Sequence, residues 1–86
     1  MQISEDGFKD MLKQLGLSVR GSYRPGEACR ILGISLRTFW RLIERYEPDP
    51  DTGLPVRPDS LDSFMLRRHR RVRFSELLDY LNRNNT

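Results

Sequence analysis

The chain has 86 residues, which is enough for one small domain with a single core and too few for a buried active-site cleft. One cysteine and one histidine exclude an intramolecular disulfide and a zinc site made of the usual nitrogen and sulfur ligands, so we expect no metal and no cofactor. The sequence contains no apolar run that would suit a signal peptide or a membrane span, which predicts a soluble, cytoplasmic protein.

The net charge of +3 is distributed unevenly along the chain. Residues 23–46 and 63–86 carry +3 and +4, whereas residues 47–62 carry −4 and residues 1–22 are neutral. Arginine outnumbers lysine thirteen to two, and the planar guanidinium group suits bidentate binding of phosphate or guanine. A basic face on a nearly neutral protein predicts a surface that binds a polyanion.

The first predicted element is an amphipathic helix over residues 4–15. Ser4 suits its N-cap and Gly16 its end. Its apolar residues recur at helical spacing and are Phe8, Met11, Leu12 and Leu15. We assign residues 1–22 to this helix and a connector, and residues 23–86 to the main domain. The pattern alone leaves open whether the helix covers the core or binds a partner.

Two further helical patterns flank a short turn in the middle of the chain. Gly33 suits the left-handed residue that ends a helix, and Ser35 suits the N-cap of the next one. Cys29 is a small residue one turn before Gly33, where two steeply crossing helices need one. Phe39 and Leu42 are expected on the inner face of the second helix. This pattern predicts a helix-turn-helix.

The outer face of the second helix carries the first group of candidate binding residues. Arg37 and Arg41 are four residues apart with Trp40 beside them, which suits contacts to bases and phosphates in a major groove. The alternative for Trp40 is packing against a neighbouring element, and the alternative for the arginines is a solvated face. The candidate residues here are Ser35, Arg37, Thr38, Trp40, Arg41 and Arg45.

The last third of the chain begins with an acidic segment and continues with a basic one. Residues 47–62 contain four prolines and five acids, which predicts an irregular loop. The basic segment has five arginines in seven residues and predicts the tip of a hairpin, whose first strand lies either at residues 54–57 or at residues 64–67. Candidate binding residues in it are Arg67, Arg68, His69, Arg70, Arg71 and Arg73.

Alternation along the second hairpin strand places Arg71 and Arg73 outward and Val72 and Phe74 inward. A final helix is expected to follow, with Ser75 as its cap, and residues 82–86 are expected to fray.

Together these patterns resemble the winged helix-turn-helix of the MerR superfamily, especially its short excisionase-like and AlpA-like members. The resemblance covers roughly residues 23–82. It is carried by Tyr23, Glu27-Ala28, Leu32-Gly33-Ile34-Ser35, Thr38, Arg41-Leu42-Ile43, the basic hairpin and the segment from Phe74 to Leu81. It implies a mainly α fold with a small β-hairpin wing, to which this chain adds an N-terminal helix. It also implies DNA binding in transcription, recombination or phage DNA packaging.

The leading hypothesis is sequence-specific binding of double-stranded DNA, as a transcriptional regulator or an excisionase-type recombination directionality factor. Such a protein would be nucleoid-associated when bound, would act as a homodimer or a cooperative head-to-tail assembly, and needs no small-molecule effector. The alternative is an assembly module whose N-terminal helix recruits a recombinase, polymerase or packaging partner. We expect no enzyme, because no motif places a base beside a nucleophile.

Overall fold

The computed structural model describes residues 2–84 and contains four α-helices and a three-stranded antiparallel sheet. In chain order the elements are α1 (Glu5–Gln14), β1 (Ser22–Tyr23), α2 (Pro25–Leu32), α3 (Leu36–Arg45), β2 (Phe64–Leu66), β3 (His69–Arg73) and α4 (Phe74–Arg83). Over these residues the protein is a small, compact fold of the α+β class, in which short strands support a larger helical layer.

The sheet has β3 in the centre, between β1 and β2. β2 and β3 form the predicted hairpin, with Leu66 paired to His69 across a two-residue loop. Of the two segments considered for the first hairpin strand, residues 64–66 form it, whereas residues 54–57 contribute only an isolated bridge between Pro48 and Pro55. β1 was not predicted, because two residues are too few to show the alternation of a strand.

The helix ends follow the predicted chemistry in the first half of the chain. The Ser4 hydroxyl accepts the backbone N–H of Gly7 at 3.0 Å, and the Ser35 hydroxyl accepts that of Thr38 at 3.1 Å. Gly33 has a φ of 68°, as the left-handed end of α2 requires. Gly33 and Ser35 therefore occupy the two cap positions that the sequence predicted for the turn between α2 and α3.

The expected start of α4 is wrong by two residues, because the predicted cap was Ser75 and the observed cap is Arg73. The helix begins at Phe74 with Arg73 in the cap position, so β3 continues into α4 without a loop. The Phe74 N–H, which a helix start leaves free, donates to the carbonyl of Gly21 at 2.9 Å. The backbone just before β1 therefore supplies the partner that was expected from a Ser75 cap. Phe74 is half-buried, and its ring meets that of Phe8 edge-on at 5.0 Å between centroids.

The expected fraying from Asn82 is also wrong for the residues that the structure describes. Asn82 lies in α4, and its side-chain amide accepts the Ile3 N–H at 2.6 Å and donates to the Ile3 carbonyl at 3.0 Å. These two bonds tie the end of α4 to the residues before α1. Residues 85 and 86 lie outside the described part of the chain.

The core joins residues from nearly every element. Phe8 and Leu12 of α1 are completely buried, as are Phe39 of α3 and Val72 of β3, and Cys29 is 8% exposed at the α2–α3 crossing. The apolar face of α1 is therefore part of the core and is not free for a partner. Burial also raises the pKa of the Cys29 thiol, which keeps it protonated near neutral pH.

The acidic segment is irregular, as predicted, and is fixed at its end. The Leu61 side chain is fully buried, and its N–H donates to the carbonyl of Leu42 at 3.0 Å. Glu76 accepts the N–H of Asp62 at 2.8 Å and pairs with Arg83 at 2.9 Å. Arg83 also donates to the carbonyl of Pro58 at 3.0 Å, so α4 holds the loop in place.

Candidate nucleic-acid interface

The exposed side of α3 forms a ridge that runs along the surface. Phe39 and Leu42 are buried beneath it, whereas Arg37 and Arg41 are exposed and Trp40 is 42% exposed. Because successive residues turn by about 100° around a helix, Arg37 lies near the crest of the ridge, and Trp40 and Arg41 lie on opposite flanks. The predicted outward face of this helix is confirmed.

Two residues at the start of α3 have local hydrogen-bond partners. The Ser35 hydroxyl caps the helix and also lies 3.1 Å from the Thr38 hydroxyl, which is half-buried. This network fixes the turn between α2 and α3. Ser35 and Thr38 therefore stabilise the ridge, and their place among the DNA contacts stays a prediction.

The tip of the hairpin is a two-residue loop made of Arg67 and Arg68. Both residues have positive φ, at 50° and 74°, as a type I′ turn requires at its two central positions. That conformation favours asparagine and glycine and costs other residues energy. Both arginines are exposed at the tip, where two like charges stand side by side.

The arginines of β3 differ in their surroundings. Arg73 is exposed and lies over the Phe64 ring at 4.3 Å, whereas Arg71 is half-buried and donates from Nε to the Ser22 hydroxyl at 2.9 Å. Arg70 is also half-buried, and its Nη1 donates to the Ser63 hydroxyl at 3.2 Å. The predicted outward direction holds for Arg73, but Arg71 lies along the sheet, where it fastens β1 to β3.

A groove, here called the hairpin groove, separates the Trp40 flank of α3 from the hairpin. It has a volume of about 350 Å³. Its walls are formed by Arg24, Pro25, Trp40, Met65, Arg68, His69 and Arg70. The structure therefore brings Trp40 together with three of the predicted hairpin residues, which are 28 to 30 positions away in the sequence.

A second groove, here called the loop groove, lies along the other flank of α3. It has a volume of about 470 Å³. Its walls are formed by Arg41, Glu44, Arg45, Glu47 and Arg57. Arg45 is paired with Asp59 at 2.7 Å, so two of its three arginines, Arg41 and Arg57, have no salt-bridge partner among the described residues. The loop groove has mixed charge, whereas the hairpin groove has no acidic wall residue among the described residues.

Sequence reasoning missed two basic residues of these grooves. Arg24 is the N-cap residue of α2, and Arg57 is the sole base in an acidic segment. Neither follows a local pattern, because each reaches its groove through the tertiary fold. Arg67, Arg71 and Arg73 line neither groove.

Glu27 of α2 is held by neighbouring arginines. Burial raises the pKa of Glu27, but the Arg24 N–H, the Arg20 guanidinium and the charge of Arg71 outweigh that effect and hold the pKa below its usual value of 4.5. Glu27 thus remains ionised and is balanced by Arg20, with which it forms an ion pair.

A separate groove of about 600 Å³ collects acidic residues of the other elements. Asp62, Glu76 and Asp79 line it together with Tyr46. Burial raises the pKa of Tyr46, and the nearby charges of Asp62 and Glu76 raise it further. Among the described residues, the hairpin groove therefore has no acidic wall residue, the loop groove has mixed charge, and this third groove is mainly acidic.

Among residues 2–84, no helix has the length and apolar character that crossing a bilayer requires. Comparison of the chain with protein-family models, with curated proteins and with solved structures finds no match.

Proposed function

We propose that this protein binds double-stranded DNA in a sequence-specific manner, with α2 and α3 as a helix-turn-helix and the β2–β3 hairpin as its wing. The resemblance to short MerR-type proteins supports this assignment. It also supports a role as a transcriptional regulator or as an excisionase-type recombination directionality factor.

The observation that carries the proposal is the exposed α3 ridge with an arginine-lined groove on each side. A major groove about 12 Å wide admits an α-helix and is bounded by two phosphate backbones. With α3 inserted, one backbone would run along the hairpin groove and the other along the loop groove. The first meets Arg24, Arg68 and Arg70, and the second meets Arg41 and Arg57.

The crest of the ridge would read the bases. Arg37 is exposed there, and its guanidinium can donate two hydrogen bonds to one guanine. Glu44 lies about two turns further along the same side and can accept from a cytosine amino group. A single ridge reads few base pairs, so useful specificity needs a second copy on a repeated site.

The test is a titration of fluorescently labelled duplex DNA at several salt concentrations, followed by selection of the preferred sequence. About six phosphate contacts predict a log–log salt slope near −5. Arg68→Ala/Arg70→Ala should weaken binding to all sequences and reduce the magnitude of the slope by about 1.8. Arg37→Ala should reduce preference for the selected site by about 1–3 kcal/mol.

The matched control is Lys9→Ala/Lys13→Ala, which also removes two positive charges but takes them from α1. If this control weakens binding as much as the hairpin variant, attraction is non-specific and the proposed interface is wrong. Absence of duplex binding at low salt would also reject the proposal.

The alternative of partner recruitment through α1 requires a free apolar face on that helix. Phe8 and Leu12 are completely buried in the core, and Met11 is half-buried. The helix therefore lacks the free apolar face that this alternative requires.

A further inference from the structure

We propose that the hairpin groove is a binding site for an unpaired nucleotide of single-stranded nucleic acid, with the base stacked on Trp40 and the adjoining phosphates on Arg68 and Arg70. This activity is separate from duplex binding, in which bases stay stacked and present only their edges.

The composition of the groove favours a base over a backbone alone. Pro25, Trp40 and Met65 give it apolar walls, whereas the backbone of a duplex presents mainly charged and polar atoms. Met65 is 54% exposed, and its polarisable thioether suits contact with an aromatic ring. The flat faces of an unpaired base are the part of a nucleic acid that such walls complement.

Trp40 is fixed in a way that suits a stacking platform. Its ring meets that of Phe39 edge-on, with centroids 5.2 Å apart and planes at 80°, and Phe39 is completely buried. Trp40 itself remains 42% exposed. An indole held by the core in this manner loses little freedom when a base stacks on it, which favours binding.

The charges around the platform suit the phosphates on either side of the base. The remaining walls are Arg24, Arg68, His69 and Arg70, and no acidic residue of the described chain is among them. The volume of about 350 Å³ lies within the range of sites for small ligands of nucleotide size. The groove therefore combines the aromatic platform and the basic track that single-strand binders use.

The experiment measures binding of four probes to the full chain at low salt, through Trp40 fluorescence and the anisotropy of labelled DNA. The probes are a thymidine oligonucleotide, an abasic strand of the same length, thymidine monophosphate and a duplex. The variants are Trp40→Leu, which removes the aromatic face, Trp40→Phe, which keeps one, and Arg37→Ala, which lies outside the groove. Circular dichroism confirms that each variant is folded.

We expect the oligonucleotide to quench Trp40 and to bind more tightly than the abasic strand. Trp40→Leu should weaken its binding by roughly 5- to 150-fold, which corresponds to the loss of one stacked base. Trp40→Phe should recover most of that loss, and Arg37→Ala should weaken only duplex binding.

Equal affinity for the abasic strand and the oligonucleotide would overturn the proposal, because it would show attraction to phosphate alone. Equal effects of Trp40→Leu and Trp40→Phe would overturn it too. If the monophosphate binds as tightly as the oligonucleotide, the site takes free nucleotides and the assignment to a strand is wrong. The duplex probe separates these outcomes from failure of the proposed function.

Discussion

The hairpin tip places two arginines in a backbone conformation that favours other residues. Arg67 and Arg68 have φ values of 50° and 74°. Left-handed backbone costs an ordinary residue about 1–2 kcal/mol. Asn-Gly is a preferred pair for a type I′ loop, so we expect the exchange Arg67→Asn/Arg68→Gly to stabilise the fold.

The size of the gain follows from two opposing effects. Relief at two positions contributes about 2–4 kcal/mol, and the greater freedom of glycine in the unfolded chain offsets about 0.5–1 kcal/mol of it. The free energy of unfolding should rise by about 1–3 kcal/mol, and each kcal/mol should raise Tm by about 4–8 °C in a domain of this size. Urea and thermal unfolding measure both quantities.

The same exchange should weaken duplex binding. Loss of the Arg68 phosphate contact reduces the magnitude of the log–log salt slope by about 0.9. Arg67→Lys/Arg68→Lys is the matched control, because it keeps both charges and leaves two ordinary residues at positive φ. It should change stability little and retain the slope. If the Asn-Gly exchange lowers stability, the tip is not strained. If the exchange leaves DNA affinity unchanged, the tip is not part of the interface.

Three further predictions concern the framework that holds the interface. Phe8→Ala should lower the free energy of unfolding in urea by about 3–5 kcal/mol, because it opens a cavity beside Phe74. Glu27→Gln should flatten the loss of stability in acid: the pKa of Glu27 is lowered, so its contribution is complete above pH 4.5 and is lost as the pH falls through the folded-state pKa. Arg83→Ala should cost about 2–4 kcal/mol in urea unfolding, because it leaves the Glu76 carboxylate largely buried without its partner.

Each of these three predictions would be contradicted by one measured result. Lys13→Ala, an exposed change on the same helix as Phe8, should alter the free energy of unfolding by less than about 0.5 kcal/mol. If Phe8→Ala and Lys13→Ala have equal effects, α1 does not pack into the core. If Glu27→Gln loses stability in acid as steeply as the unsubstituted protein, other carboxylates cause the acid unfolding. Stability in Arg83→Ala equal to that of Arg37→Ala, whose side chain is exposed, would mean that the loop is not held by α4.

Local chemistry made the helical part of the fold predictable. Gly33 tolerates the positive φ that ends a helix, Ser35 has a hydroxyl that can cap the next one, and both occupy the expected positions. The strand at Tyr23 was harder to predict, because two residues are too few to show a period. The start of α4 at Phe74 was harder to predict, because β3 continues into the helix without a turn signal. The cap of α4 is supplied by the backbone of Gly21, and distant partners of this kind leave no trace in the local sequence.

In the candidate site, too, some features follow from the local sequence and others depend on tertiary packing. Exposure of Arg37, Trp40 and Arg41 follows from helical periodicity, which fixes what faces the core. Arg24 and Arg57 reach the grooves only through tertiary packing, so no spacing reveals them. Period-two alternation marks the direction of a strand residue but not its partner. A neighbouring strand that was not predicted supplies the hydroxyl that binds Arg71.

The most direct test of the interface is amide NMR of the labelled protein during titration with a selected duplex. We expect the largest shifts along α3, at residues 65–70 of the hairpin and near Arg57, with little change in α1 or in the acidic groove around Asp62 and Asp79. Such a pattern would place DNA across the ridge and both grooves. Shifts confined to α1 and α4, with α3 unchanged, would contradict the proposed interface.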